Sequence, residues 1–178
     1  PRLLDMNVEP FLIASTVRVV VAQRLVRRLC THCRKLVEPS AAEVKEITKT
    51  MGVEKAGGYA KIHEYESQAR KDNLIGEAEA NSKTSSTASG IAQLYKASDE
   101  GCEVCNHTGY KGRIGIYEVL SNSEEIQRLI LTNTSSEVLE ATAIKGGMLP
   151  MHLDGFVKAL VGLTTIEEVL RVTTAEGA

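Results

Sequence analysis

At 178 residues the chain has room for one ordinary domain or two small subdomains, and not for more. A net charge of −2, with no tryptophan and only two phenylalanines, supplies neither the basic field nor the aromatic platform of a nucleic-acid binder. No run of 18 apolar residues occurs, which excludes a membrane-spanning helix; the nearest approach, Val17 to Val26, is interrupted by Arg18 and by Gln23-Arg24.

The chain begins at Pro1 with no initiator methionine or signal-peptide layout, so a fragment or processed piece is expected. Residues 1–16 read as a loop followed by a helix that Pro10 opens after Glu9. Val17 to Leu29 is rich in β-branched residues with alternating arginines and predicts a strand ending at Cys30. Ser40 with Glu43 three residues later forms a capping-box pattern. The helix it opens carries Val44, Ile47 and Met51 on one face and stops at Gly52. Tyr59 to Arg70 is polar and leans to helix. Asn81 to Gly90, dominated by serine and threonine, buries nothing and reads as a mobile loop. Tyr110 to Leu120 is a turn feeding a strand, with Ile114 and Ile116 on one face. Helices follow. One is capped within Ser121-Asn122-Ser123 and carries Ile126, Leu129 and Ile130. The next is capped within Thr134-Ser135-Ser136, carries Val138, Leu139 and Ile144, and stops at Gly146-Gly147. A third covers Met151 to Leu160, and a last is capped by Thr164 or Thr165 with Glu167 and Glu168. Together they read as a small helical bundle.

The chemistry is concentrated in four cysteines. Cys30, Cys33, Cys102 and Cys105 make two Cys-x-x-Cys pairs, and the chain has no other cysteine. A two-residue gap lets both sulfurs of a pair reach one ion, and two such pairs complete a tetrahedron, most simply around zinc. A filled four-sulfur shell leaves no open position for water, so such a metal is structural. Redox pairs and disulfides are the rivals. A thioredoxin-like pair should open a helix after a strand, whereas Gly101 and Arg27-Arg28-Leu29 suit two rubredoxin-like turns. Paired thiols without a secretory signal favour a reducing cytosol. His32 and His107 lie within or beside the pairs but are not needed as ligands; His63 and His152 read as surface or packing residues.

A nucleotide-hydrolysing site needs a phosphate loop whose backbone amides cradle the phosphates. Gly109, Gly112 and Gly115 lack its spacing and its following Lys-Ser or Lys-Thr; they read as turn glycines beside the cysteines. No His-Glu-x-x-His, Gly-x-Ser-x-Gly or other catalytic constellation occurs. Arg24, Arg27, Arg28, Arg34 and Lys35 form a basic run around the first pair. Two readings of it stand: a contact surface for a protein, an anionic lipid or a neighbouring subunit's nucleotide, or a solvated strand edge that lowers thiol pKa values. Met148 and Met151 read as core filler.

The order of motifs resembles one family. It runs Pro1-Arg2-Leu3, then Met6 and Val8-Glu9-Pro10-Phe11-Leu12, then Ala22-Gln23-Arg24-Leu25-Val26-Arg27-Arg28-Leu29-Cys30 with Cys33. Gly101-Cys102 with Cys105, Thr108-Gly109-Tyr110, Gly112-Arg113 and Gly115-Ile116-Tyr117-Glu118 follow. Gly147-Met148, Asp154-Gly155 and Gly162-Leu163-Thr164-Thr165-Ile166-Glu167-Glu168-Val169-Leu170-Arg171-Val172-Thr173 close it. This is similar to the C-terminal third of the type II secretion and type IV pilus assembly ATPases, over residues 1–36 and 98–173. The resemblance implies a cytoplasmic hexameric motor, peripheral to the inner face of the cell membrane, that couples ATP hydrolysis to pilin or pseudopilin polymerisation. It implies other hexamer subunits and an inner-membrane platform protein as partners. The phosphate loop and catalytic acid, and with them ATP and Mg²⁺, would lie upstream in the full-length protein. No residue here is expected to be catalytic, and the fragment is expected to be inactive alone. The resemblance also implies structural Zn²⁺ on Cys30, Cys33, Cys102 and Cys105, a feature of assembly rather than retraction motors. Asn7 departs from it, standing where the family has glycine, and residues 38–97 show no counterpart.

The expected fold class is therefore α+β. Residues 1–29 form the trailing edge of a RecA-like ATPase core. Residues 30–120 form a small Cys₄ zinc-binding subdomain with an insertion at about 38–97, which either docks a lineage-specific partner or is a flexible excursion. Residues 121–178 form a C-terminal helical subdomain. The excursion, poor in apolar residues, is expected to have little core of its own, so that metal supplies much of the folding energy. The rival classes are a stand-alone zinc-knuckle adaptor and a nucleic-acid-binding module; near-neutral charge and few aromatics argue against the latter. A chaperone-type cysteine-rich domain is disfavoured because its motif repeats and has a shorter Cys-to-Gly step.

Overall fold

Helices alternate with small two-stranded sheets, an α+β arrangement, in the computed structural model, which describes residues 6–71 and 85–174. The order is α1 (Pro10–Thr16), β1 (Val19–Leu29), β2 (Lys35–Val37), α2 (Ala41–Thr50), α3 (Gly58–Lys71), β3 (Ser86–Thr87), β4 (Gly90–Ile91) and β5 (Leu94–Lys96). A 3₁₀ turn at Glu103–Cys105 leads to β6 (Tyr110–Ser121), α4 (Glu124–Leu131), α5 (Ser136–Lys145), α6 (Met151–Leu160) and α7 (Ile166–Thr173). β1 pairs with β6. β2 pairs antiparallel with β5, placing Leu36 opposite Tyr95, and β3 with β4. None of the described helices is long and apolar enough to cross a membrane.

The chain forms two compact units that interleave along the sequence. Residues 1–23 and 117–151 make unit 1; residues 24–116 and 152–178 make unit 2. The four C-terminal helices are divided between these units, α4 and α5 falling in unit 1 and nearly all of α6 and all of α7's described residues in unit 2.

In unit 1, α1 packs on α4, and α4 on α5. Pro10 sits at the start of α1, where its missing N–H costs nothing. Ser123 caps α4 by accepting from the Ile126 amide. Asn122 donates to the carbonyls of Ala14 and Val17, closing the C-terminus of α1. Asn7 has φ +57°, a left-handed conformation that glycine adopts freely and asparagine tolerates. α5 carries Val138, Leu139 and Ile144 as expected, but Val138 and Ile144 are exposed, Leu139 is half-buried, and Ala143 is the residue α5 buries.

In unit 2, Phe156, Leu160, Val161 and Val169 of the α6–α7 segment are buried, as are Val26, Leu29 and Ile116 from the strands. Gly155 lets α6 approach α7: a Cβ there would lie 2.6 Å from a Val169 methyl. Thr165 caps α7 through the Glu168 amide. The excursion also departs from expectation, since Ile47, Met51, Val53, Ile62, Ile91, Leu94 and Tyr95 are all buried. The predicted loop at 81–90 falls partly outside the described residues. Its described part is not a bland loop, because Ser85 and Ser86 are fully buried and Ser86–Thr87 pairs with Gly90–Ile91.

Candidate metal centre

The first cysteine pair sits where β1 ends. The amide of Cys30 donates to the Gly109 carbonyl, and Cys33 and Arg34 then fold back to donate to the Cys30 carbonyl. The second pair spans the 3₁₀ turn, where Cys105 and His107 both donate to the Cys102 carbonyl. This loop needs unusual backbone: Asn106 and His107 have positive φ, and a Cβ on Gly101 would lie 2.4 Å from the His107 backbone.

These turns bring all four sulfurs within 4.8 Å of one another. Cys30 Sγ lies 3.8 Å from Cys102 Sγ, Cys33 Sγ 3.8 Å from Cys105 Sγ, and Cys102 Sγ 3.7 Å from Cys105 Sγ. A disulfide needs about 2.05 Å, and all four cysteines are free. A tetrahedron with Zn–S of about 2.3 Å has sulfur–sulfur edges of about 3.8 Å. The cluster therefore fits a tetrahedral, sulfur-loving ion and does not fit a pair of disulfides.

Electrostatics separate the thiols. Burial opposes ionisation of Cys105, but it is outweighed by the amides of Cys102 and Gly109, each 3.3 Å from the sulfur, and by the Cys102 and Cys33 thiols, which together draw Cys105 down to about 6. Burial pushes the Cys33 thiol up to about 12, reinforced by its contacts with Cys102, Cys105 and Cys30. One thiolate is thus favoured and a second disfavoured; a shared cation is what would let all four ionise together.

Comparisons with known proteins find similarity over nearly the whole chain. The family model described as "Type II/IV secretion system protein" matches residues 1–171. The chain belongs to the type II/IV secretion system protein family. The Type II secretion system protein HxcR of Pseudomonas aeruginosa is 36% identical over 97% of this chain and 25% of its own length. The Type IV pilus assembly ATPase PilB of Thermus thermophilus is 36% identical over 97% of this chain and 15% of its own length. The Type II secretion system ATPase E of Vibrio cholerae is 36% identical over 97% of this chain and 26% of its own length. The chain thus spans about a quarter or less of these relatives. The family match runs through residues 38–97, for which the sequence by itself showed no counterpart.

Within this family member, the other candidate residues take structural places. Among the described residues the metal-competent group consists of the four cysteines without His32 or His107. His32 is exposed, and His107 Nδ1 lies 3.1 Å from the Glu100 carbonyl. Half-buried His63 meets Ser86 Oγ at 3.3 Å. The basic run is largely used internally. Arg27 pairs with Glu168 at 2.7 Å and stacks over Tyr110; Arg34 donates to the Gly162 carbonyl at 2.7 Å and stacks over Tyr95. Arg34 thereby ties the first pair to the α6–α7 turn, where Leu29 donates to the Leu163 carbonyl and Thr164 to that of Arg27.

Two buried carboxylates escaped sequence reasoning. Glu66 on α3 is fully buried. It accepts from Arg70 at 2.9 Å, from the amides of Ser85 and Ser86 at 2.9 and 3.0 Å, and from the Ser86 hydroxyl. Glu168 is buried between Arg27 and Arg171. Burial opposes its ionisation, but the bonds from Arg171 and from the side chain and amide of Arg27 hold it down at about 2. The only sequence cue for either was a glutamate beside basic residues at helical spacing, which surface helices share.

Proposed function

We propose that this chain is the clasp-bearing C-terminal region of a hexameric secretion or pilus assembly ATPase, and that it transmits or anchors the motor's motion without hydrolysing ATP itself. The observation that carries this reading is a four-sulfur cluster of tetrahedral dimensions within a chain of the type II/IV secretion family. Cys30, Cys33, Cys102 and Cys105 would hold a structural zinc ion. Bound there, zinc would supply charge neutralisation for four thiolates and a cross-link between two distant segments, with no open position for a catalytic water. The chain's own part is to present the sulfurs, donate amides to Cys105, and fasten the adjoining strands to the α6–α7 turn through Arg34, Leu29 and Thr164.

On this reading residues 1–29 are the trailing edge of a RecA-like core, 30–120 the zinc-binding subdomain with its insertion at about 38–97, and 121–178 the C-terminal helical subdomain. Val19, Val20 and Val21 support the first assignment. They are consecutive in β1 and about half exposed, so both faces of the strand are apolar and uncovered. That is the pattern of a strand covered on both faces in an α/β sheet. The phosphate loop, the catalytic acid and bound ATP–Mg²⁺ belong to the remainder of the motor. The motor works in the cytoplasm at the inner face of the membrane, contacts neighbouring subunits and an inner-membrane platform protein, and drives pilin or pseudopilin polymerisation.

Elemental analysis of the purified chain tests the clasp: one zinc per chain is expected, with none in the Cys102→Ser/Cys105→Ser variant. ATP turnover by the full-length gene product tests the motor. A full-length protein that binds zinc but neither binds nor hydrolyses ATP would overturn the motor reading and leave the clasp standing.

A further inference from the structure

Within unit 2, α2, β5 and α7 enclose an open groove of about 210 Å³ that the clasp does not use. Its floor is aliphatic, made by Ile47, Leu94, Ile166 and Leu170. Its rim carries Glu43, Glu46 and Glu167 against one cation, Lys96. Lys96 is already engaged: its Nζ lies 2.6 Å from Glu43, and that bond, with Glu167 nearby, raises the ammonium's pKa against the cost of burial. Among the described residues Glu46 and Glu167 make no ion pair. The site thus joins an apolar floor to a net negative rim.

Volume and charge restrict the occupant. Pockets for whole cofactors begin at about 300 Å³, and this groove is smaller, of the size that receives anchor side chains of a peptide. A negative rim repels nucleotides, acidic lipids and nucleic acid, and favours a cation beside the apolar contact. We propose that this groove docks a peptide segment of another protein that presents an aliphatic side chain next to lysine or arginine. The aliphatic group rests on Ile47, Leu94 and Ile166, and the cation sits between Glu46 and Glu167. The inference rests on the proposed function only in taking this region to make partner contacts, and it names the chemistry of one of them.

The groove is also built from the clasp outward. β2 begins two residues after Cys33 and pairs with β5, setting Val37 opposite Leu94, while Arg34 stacks on Tyr95 in the same strand at 4.8 Å. The strand that supplies part of the floor is therefore held by the chain that leaves the first cysteine pair.

The test is an NMR titration of the intact chain with two synthetic peptides that alternate leucine with lysine or leucine with glutamate. The lysine peptide is expected to give saturable shifts at the methyls of Ile47, Leu94, Ile166 and Leu170, weakening with salt, and the glutamate peptide to give none. Glu46→Lys with Glu167→Lys should weaken the lysine peptide at least tenfold and allow the glutamate peptide to bind. The milder Glu46→Gln/Glu167→Gln pair should weaken it several-fold and covers the case in which charge reversal disturbs the fold. Equal binding of both peptides, no binding at millimolar concentration, or undiminished affinity in a folded variant would overturn the proposal. So would concentration-dependent shifts at these methyls without peptide, accompanied by dimers in sedimentation, because a second copy would then be the occupant. None of these outcomes bears on zinc content or ATP turnover, so failure here is distinct from failure of the motor reading.

Discussion

The two compact units differ in how completely each buries its own apolar side chains. Unit 2 encloses Phe156, Leu160, Val161, Met51 and Ile62, and among its described large apolar residues Leu25, Leu36 and Val104 are the exposed ones. Unit 1 buries Ala14, Ile126 and Ala143, yet exposes Met6, Phe11, Leu12, Val19, Val20, Val21, Tyr117, Val119, Leu131, Val138 and Ile144. Isolated exposed hydrophobics are normal, but this many in one small unit mark surface meant to be covered. Unit 2 also holds the cysteine clasp and both buried glutamates. One unit is organised around internal polar and sulfur closures, and the other around surfaces that a larger assembly would cover.

The largest effect that could break this contrast is loss of the clasp. Structural zinc sites contribute on the order of 10 kcal/mol. A strong chelator, or Cys30→Ser/Cys102→Ser, should lower the thermal melt of unit 2 steeply and open the amides of residues 30–34 and 101–109 to hydrogen exchange. The amides of α4 and α5 in unit 1 should be little changed. A metal-free sample with an unaltered melt would remove the clasp from the energetics altogether.

Next comes Glu66→Ala. It would remove the carboxylate that pairs with the Arg70 guanidinium at 2.9 Å and accepts from two buried amides. Breaking a buried pair in this way costs about 3–5 kcal/mol, readable as a fall in the urea midpoint. Glu66→Gln should cost less, because it keeps an acceptor. If the alanine variant were as stable as the parent, the excursion would not depend on this closure.

Glu168 gives a smaller, pH-dependent effect. Its folded pKa of about 2 lies below the ordinary 4.5, so its stabilisation is complete above about pH 4.5 and is lost as pH falls towards 2. The shift alone corresponds to roughly 3 kcal/mol. Arg27 and Arg171 are each more than half exposed, and solvent screening should bring the measured value to about 1–2 kcal/mol. Denaturation midpoints between pH 5 and 2 should show this slope, and Glu168→Gln should flatten it.

The smallest effect probes unit 1. Val20→Lys should change stability by about 0.5 kcal/mol or less, because its side chain is half exposed. It should at the same time reduce hydrophobic-dye binding and self-association in light scattering. A loss above about 2 kcal/mol would show that unit 1 already uses this valine in its own core.

Much of the local structure and the candidate site was legible in the chain. Ser40, Ser123 and Thr165 announced their helices because a cap acts within one turn. Pro10 and Gly52 marked boundaries for equally local reasons. The four cysteines were legible because the spacing within each pair is a property of the chain, and the family match extends over the segments that carry them. Side-chain fate was harder to read. Val138 and Ile144 are apolar residues of a helix but are exposed, while Ser85 and Ser86, in a stretch of loop composition, are buried where their amides donate to Glu66, 19 and 20 residues earlier in the chain.

By itself, then, the sequence determined most of the helices, the two long strands, several of the caps, the quartet of thiols and the family. These rest on interactions across a few residues or on residue identity alone. Only the tertiary structure decided that the two pairs close to tetrahedral distances, that the units interleave, that Glu66 and Glu168 are buried anchors, and that an acidic rim surrounds an aliphatic groove. Each of these joins positions far apart in the chain, and burial and ion pairing depend on which surfaces meet, a quantity that local periodicity does not encode.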